Sequence, residues 1–517
     1  MIVIYHNSKR VTRVVSDTLE VIDFDSSNSI ASVLMHIAMQ FPNKSIAWCH
    51  QDYEGFVNWN EFPKVLHHNK IMASFSPCVE IYLGREIGYV EESPFINVNK
   101  RVTYHTWQMS SSIGGMHASV VAQFKGKIKE RRNFDFFLNS LAKLGMPLGL
   151  FCYSEPKLFK TFPECPQPKA TIFTLFQFVY QHYKTRWLFL MLFNLMVYEK
   201  RLPIFAFLKA LLYKKRSNIG ISLNSIVVQS SKEEVYEATI DVIIPTIGRK
   251  IYLYDVLQDL SLQTHLPKQV IIVEQNPLEA SVSELDYLKN ENWPFKINHT
   301  FTNQAGACNA RNLALAQVES EWVFMADDDV RIEAQFIEKG LSFAKMYATK
   351  AVTFGCYQAN YAERKKIKHT MQWNSFGSGC SIVRLKENNE LRYNTSLEFG
   401  YGEDTEFGLQ LRNEGIDVVF TPYPEILHLK APIGGFRTKP VLQWHKEVIQ
   451  PKPSPTIMYV KQKYDTKEQI LGYKTVLFLK FYKLQNSRNP FVYLIKIKRQ
   501  WNKSVFWAKQ LRKINEI

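Results

Sequence analysis

The chain reads as an α/β protein whose middle part is a parallel sheet covered by helices on both faces. Two observations carry this. From residue 241 onward, short and nearly continuous apolar runs alternate with stretches of helical spacing. Apolar residues make up 46% of the 517 positions and charged residues 22%, the balance of an ordinary globular protein. The length suggests roughly two to four domains.

Residues 1–165 predict an α/β domain. Met1–Tyr5 and Val79–Leu83 read as strands, and Ile30–Gln40 and Phe134–Leu144 as helices. The Pro-broken stretch from Phe162 to Lys169 marks a boundary. Residues 166–239 hold two 12-residue apolar stretches, Trp187–Tyr198 and Leu202–Tyr213, and a polar linker. Glu199-Lys200-Arg201 splits the two stretches and Lys214-Lys215-Arg216 closes them, so neither reaches the length of a spanning helix. They form either a buried helical pair or an interfacial element whose cations meet anionic headgroups.

The regular region, 240–445, follows. Asp241–Pro245, Val270–Val273, Lys296–Phe301 and Trp322–Ala326 predict strands, and Leu253–Leu262, Ser281–Leu288 and Ala307–Gln317 predict helices. Residues 446–517 form a basic, aromatic-rich helical region, with amphipathic helices expected at Leu477–Leu484 and Trp501–Leu511.

The net charge of +16 is unevenly placed: +8 over 1–240, −5 over 241–437 and +13 over 438–517. A basic protein with an acidic middle is not a uniform polyanion binder, and no zinc-finger or RNA-sheet signature appears, so no nucleic-acid partner is expected. The cations of the tail, interleaved with Phe478, Phe481, Tyr482, Phe491, Tyr493, Trp501, Phe506 and Trp507, fit a peripheral role on an anionic membrane face or a solvated face packed on the middle domain. The seven cysteines lie far apart and are odd in number, with no CxxC pair, which points to a reduced, cytosolic chain. The start lacks the basic and apolar regions of a signal peptide.

Ligands of open α/β sheets bind at the carboxyl ends of strands, so the residues after each strand carry the chemistry. Asp327-Asp328-Asp329 follow the apolar strand Trp322–Ala326 directly. Alternate residues of an extended turn point the same way, so Asp327 and Asp329 can share one Mg²⁺ or Mn²⁺. The structural alternative is that Asp329 caps a helix starting near Ile332.

These residues belong to an ordered set. Asp241–Arg249 (DVIIPTIGR), Val270–Gln275 (VIIVEQ), Gly306–Asn312 (GACNARN) and Phe324–Val330 (FMADDDV) are followed by Gly377–Val383 (GSGCSIV), Phe399–Arg412 (FGYGEDTEFGLQLR) and Asp417–Pro422 (DVVFTP). Over about 241–437 the set resembles family 2 glycosyltransferases, the inverting enzymes of GT-A fold. The resemblance implies a Rossmann-like nucleotide-diphospho-sugar transferase domain, with a metal, Mn²⁺ or Mg²⁺, at Asp327 and Asp329. Asp328 is the alternative ligand, since the family's acidic motif occurs in more than one register.

It further implies Asp404 as general base with Glu403 beside it, and nucleotide-sugar contacts from Pro245, Thr246, Glu274, Arg311, Asp327, Asp328 and Arg437. His428 completes the metal site in this reading. Where many relatives carry Asp after the second strand, this chain has Glu274-Gln275-Asn276. Partners implied are a nucleoside-diphosphate sugar donor and a glycan or lipid-linked acceptor.

Two rivals stand beside this reading. One is a catalytically inactive transferase-fold scaffold at the membrane. The other is a sugar nucleotidyltransferase, weakened because Pro245–Lys250 has a single Gly. For residues 1–165, where Ser110–Met116 reads as a small-residue binding loop and Ile46–Asp52 ends a strand-like run in polar residues, a degenerate or second transferase-like domain, an acceptor-binding module and an assembly module are all open.

Overall fold

The structure, a computed structural model, describes all residues except 79, 131–132, 165–168, 386–389, 433–439, 485–488 and 516–517. The chain divides into two compact units, the first comprising Met1–Lys232 with Asp465–Lys483 and the second Glu233–Tyr464 with Leu484–Ile517. The residues of the expected N-terminal domain and of the apolar helical pair therefore share one unit, and the basic tail is divided between both.

The first unit is built on β1 (Ile2–His6), β2 (Val11–Val15), β3 (Ser45–His50), β4 (Ile71–Phe75), β5 (Tyr104–His105), β6 (Ile113–His117) and β7 (Phe151–Ser154), in the spatial order β2-β1-β3-β6-β4-β7-β5. Strands β1, β3, β4 and β7 run parallel; β6 runs against them between β3 and β4. Helix Ile30–Gln40 is stopped at its start by the Ser29 hydroxyl, which accepts from the Ser32 N–H, and Asn133 caps Phe134–Gly145 in the same way. Val79–Leu83 is not a strand: its described residues lie in bends and turns leading to Gly84, which has φ +77°.

The apolar pair forms helices Thr185–Glu199 and Ile204–Leu211. Leu188, Met191 and Leu195 are buried, whereas Phe205 is 81% and Leu212 84% exposed. Helix Lys467–Tyr482 of the tail belongs to this unit, opened by a capping box between Thr466 and Gln469.

Five cysteines (49, 152, 308, 356 and 380) are free, but Cys78 is disulfide-bonded, which corrects the expectation of a wholly reduced chain. Distance along the chain does not decide which thiols a fold brings together.

The second unit carries β8 (Ile240–Thr246), β9 (Gln269–Gln275), β10 (Lys296–Thr302), β11 (Trp322–Ala326), β12 (Val330–Arg331), β13 (Ala351–Tyr357), β14 (Met371–Gln372), β15 (Cys380–Arg384) and β16 (Val418–His428). The order is β10-β9-β8-β11-β15-β13-β16-β12, with β14 also on β16. The strands β10, β9, β8 and β11 are parallel and β15 runs against its neighbours, so the sheet is mixed rather than wholly parallel. This is the α/β architecture of a GT-A domain.

Strands β8, β9 and β11 are nearly all buried, as expected for strands covered on both faces, whereas the edge strand β10 is not. Asp241, which opens the first motif, is fully buried at the end of β8 away from the strand's carboxyl end. It accepts from the N–H groups of Glu319 and Ser320, the Ser320 hydroxyl and the Gln269 amide, and so ties three segments together.

Two expectations fail here for local reasons. Ser281–Leu288 is mostly irregular, with only Tyr287–Asn290 helical, because the Ser and Asn side chains bond the nearby backbone instead. The helix after the aspartates starts at Phe336, not near Ile332, since Val330–Arg331 pairs with β16; Asp329 is therefore no cap. In the tail, helix Pro490–Asn515 packs on Pro455–Tyr464 with Tyr493, Ile497, Trp501, Ala508 and Leu511 buried.

Candidate active site

Parallel strands place their last residues on one edge of the sheet. Thr246 closes β8, Gln275 closes β9, Asp327–Asp329 follow β11 and His428 closes β16. Two helices begin at the same edge, Ala307–Leu315 behind Gly306 and Glu403–Asn413 behind Gly402. Between them lies a cleft of about 510 Å³, lined among others by Pro245, Thr246, Arg249, Arg311, all three aspartates, Glu403 and His428. That volume is within the usual range for a small-molecule site.

The three aspartates have three different surroundings. Asp327 is the exposed one, at 38%, and Arg311 Nη2 contacts its Oδ1 at 3.1 Å. Asp328 is buried, accepting from Thr246 Oγ1 at 2.7 Å and from Arg249. Burial pushes its carboxyl up to about 6 against the pull of Arg249. Asp329 is buried too, but the His428 ring at 3.4 Å, the Ala431 N–H at 2.9 Å and Arg249 at 3.2 Å outweigh burial and hold its carboxyl below the ordinary value. His428 is raised in turn, chiefly by its hydrogen bond to Asp329.

Gly379 explains how Asp327 fits. A Cβ there would stand 2.1 Å from Asp327 Oδ2, so only glycine leaves room for the carboxylate. The small-residue strand start Gly377-Ser378-Gly379 is thus a steric requirement of the acidic turn.

Asp404 sits on the first turn of its helix and is fixed from the side. Ser378 Oγ donates to Asp404 Oδ1 and accepts from Tyr393 Oη at 2.7 Å, making a relay of three groups. Burial raises the Asp404 carboxyl, opposed by Arg311 and Ser378. Glu403 faces the cleft directly and is raised by burial and then by the charge of Asp404.

The structure brings Pro245, Thr246, Arg311, Asp327, Asp328, Asp329, Glu403 and His428 to the cleft lining, with Asp404 bonded to Ser378 beside it. Glu274 is elsewhere engaged: it accepts from His299 Nε2 at 2.9 Å and from the Glu284 N–H at 3.1 Å, while Gln275 lines the cleft. Arg437 lies outside the described residues, as do Gly434 and Gly435.

Sequence reasoning missed Arg249, which bridges Asp328 and Asp329, and Glu398, whose carboxylate accepts from the Cys308 and Asn309 N–H groups at the start of helix Ala307–Leu315. It also missed Ser378 and Tyr393. Arg249 and Ser378 had a signal, as members of the first motif and of Gly377–Val383; Tyr393 and Glu398 had none.

Two hard carboxylates and an imidazole nitrogen on one cleft form a donor set that suits Mn²⁺ or Mg²⁺. Among the described residues no three His, Cys, Asp or Glu side chains are gathered closely enough to form a ready metal cage. Arg249, Arg311 and His428 balance the aspartates in this arrangement.

The site is thus a cleft at the carboxyl edge of a mixed α/β sheet, between an acidic turn and the start of an acidic helix. Residues 241–401 match the family model described as glycosyl transferase family 2. No curated protein matches the chain.

Among solved structures, Staphylococcus aureus TarS 1–349 is similar at 16% identity, covering 53% of this chain and 91% of that one, with a TM-score of 0.35. TarS 1–349 in complex with UDP-GlcNAc matches at 16% identity over 53% and 81%, with a TM-score of 0.37. Longer TarS matches at 15% over 52% and 55%, with a TM-score of 0.35.

Proposed function

We propose that the second unit is an inverting glycosyltransferase that moves a sugar from a nucleoside-diphosphate donor to a glycan or lipid-linked acceptor. The observation that carries this is the meeting, on one cleft, of the acidic turn Asp327–Asp329, the cations Arg249 and Arg311, and the Glu403-Asp404 helix start.

Transfer requires a bond from an acceptor oxygen to the anomeric carbon as the bond from that carbon to the diphosphate oxygen breaks. Asp404 takes the acceptor hydroxyl's proton, and its partly buried carboxyl is tuned toward a working base by burial. Ser378 and Tyr393 keep that carboxyl in one orientation. Glu403 binds the acceptor on the cleft side. One base facing the reacting carbon opposite the leaving group gives inversion in a single displacement.

Arg249 and Arg311 supply charge for the diphosphate, and Thr246 with Asp328 fixes the loop that receives the nucleotide. Asp327, Asp329 and His428 would hold the divalent cation, which when bound neutralises charge on the leaving diphosphate. Incubation with a panel of nucleotide sugars, with Mn²⁺ or EDTA, tests the reading. Metal-dependent release of nucleoside diphosphate is expected, and no turnover or binding of any donor would overturn it.

The same reading extends to a peripheral membrane location for the first unit. No helix among the described residues is long and apolar enough to cross a membrane. Phe205, Leu208 and Leu212 nevertheless stand exposed on and just after helix Ile204–Leu211. Leu212 also lines a groove of about 1150 Å³ with Lys125, Lys127, Lys129, Lys214, Lys215 and Arg216. Apolar side chains beside clustered cations suit an anionic bilayer surface.

A further inference from the structure

The two units share a strand plan. In the first, β1, β3, β4, β5, β6 and β7 stand in the spatial order first, second, fifth, third, sixth, fourth. In the second, β8, β11, β13, β14, β15 and β16 stand in the same order, the last two places being β16 and the β14 paired to it. Directions agree as well: the fifth strand of each set is antiparallel to both neighbours, and the fourth is a two-residue strand antiparallel to the sixth.

The register agrees residue by residue. The Asp327 N–H donates to Gly379 O at 3.4 Å, just before β15; the His50 N–H donates to Ser112 O at 2.9 Å, just before β6. Counting from that bond, Thr353 opposite Ser381 matches Ser74 opposite Gly114. Thr353 opposite Phe420 then matches Ser74 opposite Ser154, and Met371 opposite Phe420 matches Tyr104 opposite Ser154. A single correspondence for each strand satisfies all four pairings.

This register superposes functional positions. Ser378 corresponds to Ser111. The last α-helix before the sixth strand is Glu403–Asn413 in one unit and Phe134–Gly145 in the other, where the shorter helix Ala118–Gln123 precedes it; the second residue of that last helix is Asp404 or Asp135. Ser378 Oγ bonds Asp404, and the Ser111 N–H donates to Asp135 Oδ1 at 2.8 Å. Burial pushes both carboxyls up.

The donor side does not repeat. The acidic turn Asp327-Asp328-Asp329 becomes His50-Gln51-Asp52. The parallel strands β9 and β10 beside β8 have no counterpart, β1 being flanked instead by the antiparallel β2. A cleft of about 560 Å³ remains at the same edge, lined by His50, Asp52, Tyr53, Phe56, Ser111 and Glu164 among others. No Lys or Arg lines it among the described residues, so nothing there balances a diphosphate.

We propose that the first unit is a second copy of the transferase fold that has lost its nucleotide half, and that its His50–Asp52–Tyr53 cleft binds an uncharged saccharide segment. Carboxylates, hydroxyls and imidazole exchange hydrogen bonds with sugar hydroxyls in both directions. Tyr53 and Phe56 offer apolar ring faces to pyranose C–H groups. That the polyol is a glycan rests on the transferase reading of the second unit; the repeat and the cleft do not.

The test uses the full chain on an array of neutral oligosaccharides, with any retained glycan titrated calorimetrically against wild type, Asp52→Ala and Tyr53→Ala. Both side chains are solvent-accessible, and unchanged nucleotide-sugar turnover by each variant serves as the folding control. Retention of a glycan with or without EDTA is expected, weakened at least about tenfold in both variants, the equivalent of ~1.4 kcal/mol. No retained glycan, wild-type affinity in either variant, or displacement by UDP or GDP would overturn the proposal. Glycan binding without any donor turnover would sink the transferase reading and leave this site standing.

Discussion

Gly379 lies so close to Asp327 that an added methyl carbon would stand 2.1 Å from the carboxylate oxygen. Gly379→Ala must therefore push Asp327 out of its place between Arg311 and the cleft. A displacement of about 1 Å in a catalytic constellation costs on the order of a hundredfold in rate. Turnover is expected to fall by about that factor while thermal unfolding shifts little, and a variant with wild-type turnover would remove Asp327 from the donor site.

Ser378 donates to the Asp404 carboxylate, which favours the charged form. Removing that donor in Ser378→Ala raises the Asp404 pKa further. A base works only when deprotonated, so the acid limb of the kcat/KM profile should move to higher pH, with kcat down about tenfold. An unmoved acid limb would assign the profile to another group.

Arg249 is nearly buried and faces two buried carboxylates. Arg249→Met leaves both without their shared cation, and breaking a buried pair in this way costs about 3 kcal/mol. Urea unfolding of the second unit should reflect that loss. Destabilisation should shrink on acidification, because protonated Asp328 and Asp329 no longer need the cation.

In the first unit, folding favours the neutral forms of four histidines, His6 and His68 buried and His67 and His182 half-buried. Burial lowers His6 and His67 to about 4, and His68 and His182 well below the usual value. Because the folded pKa is depressed, their contribution is complete above about 6.5 and is lost as pH falls toward 4, each at about 1.4 kcal/mol per pH unit. Amide exchange in β1 and β4 should therefore accelerate over that window, and His6→Gln, which can keep a donor to Ser111 O, should flatten the dependence. A flat profile in wild type would contradict the account.

Phe205→Ser with Leu212→Ser removes two exposed apolar side chains beside the cationic groove. Burying such side chains contributes about 1.5–3 kcal/mol each. Flotation with vesicles containing anionic lipid should recover far less of the double variant, and high salt should weaken wild-type recovery. Equal recovery would rule out this face as the docking surface.

The sheet of the second unit was readable because apolar runs such as Trp322–Ala326 end abruptly in charged or polar residues, a pattern that marks buried strands and their carboxyl ends together. Ser378, Tyr393 and Glu398 were not readable. Each acts through a partner 15 to 90 residues away, and Ser378 stood out only as one small residue of the Gly377–Val383 motif, with no sign of its bond to Asp404. Glu274 was expected to face the nucleotide, but its carboxylate is taken up by His299 and the Glu284 N–H, and its neighbour Gln275 lines the cleft instead. A second transferase-like domain stood among the open readings of residues 1–165, but nothing in the sequence chose it: the likeness of the two units lies in strand order and backbone pairing, and the place of the acidic turn is taken by His50-Gln51-Asp52.

The central claim is that Asp404 removes the acceptor proton in a cleft that binds the donor independently. Asp404→Asn with a productive nucleotide sugar tests it in a single-turnover experiment, with donor affinity measured on the same sample. The account predicts wild-type donor affinity and no transfer above about one ten-thousandth of the normal rate, the upper range for loss of a general base. Normal transfer by this variant would contradict it.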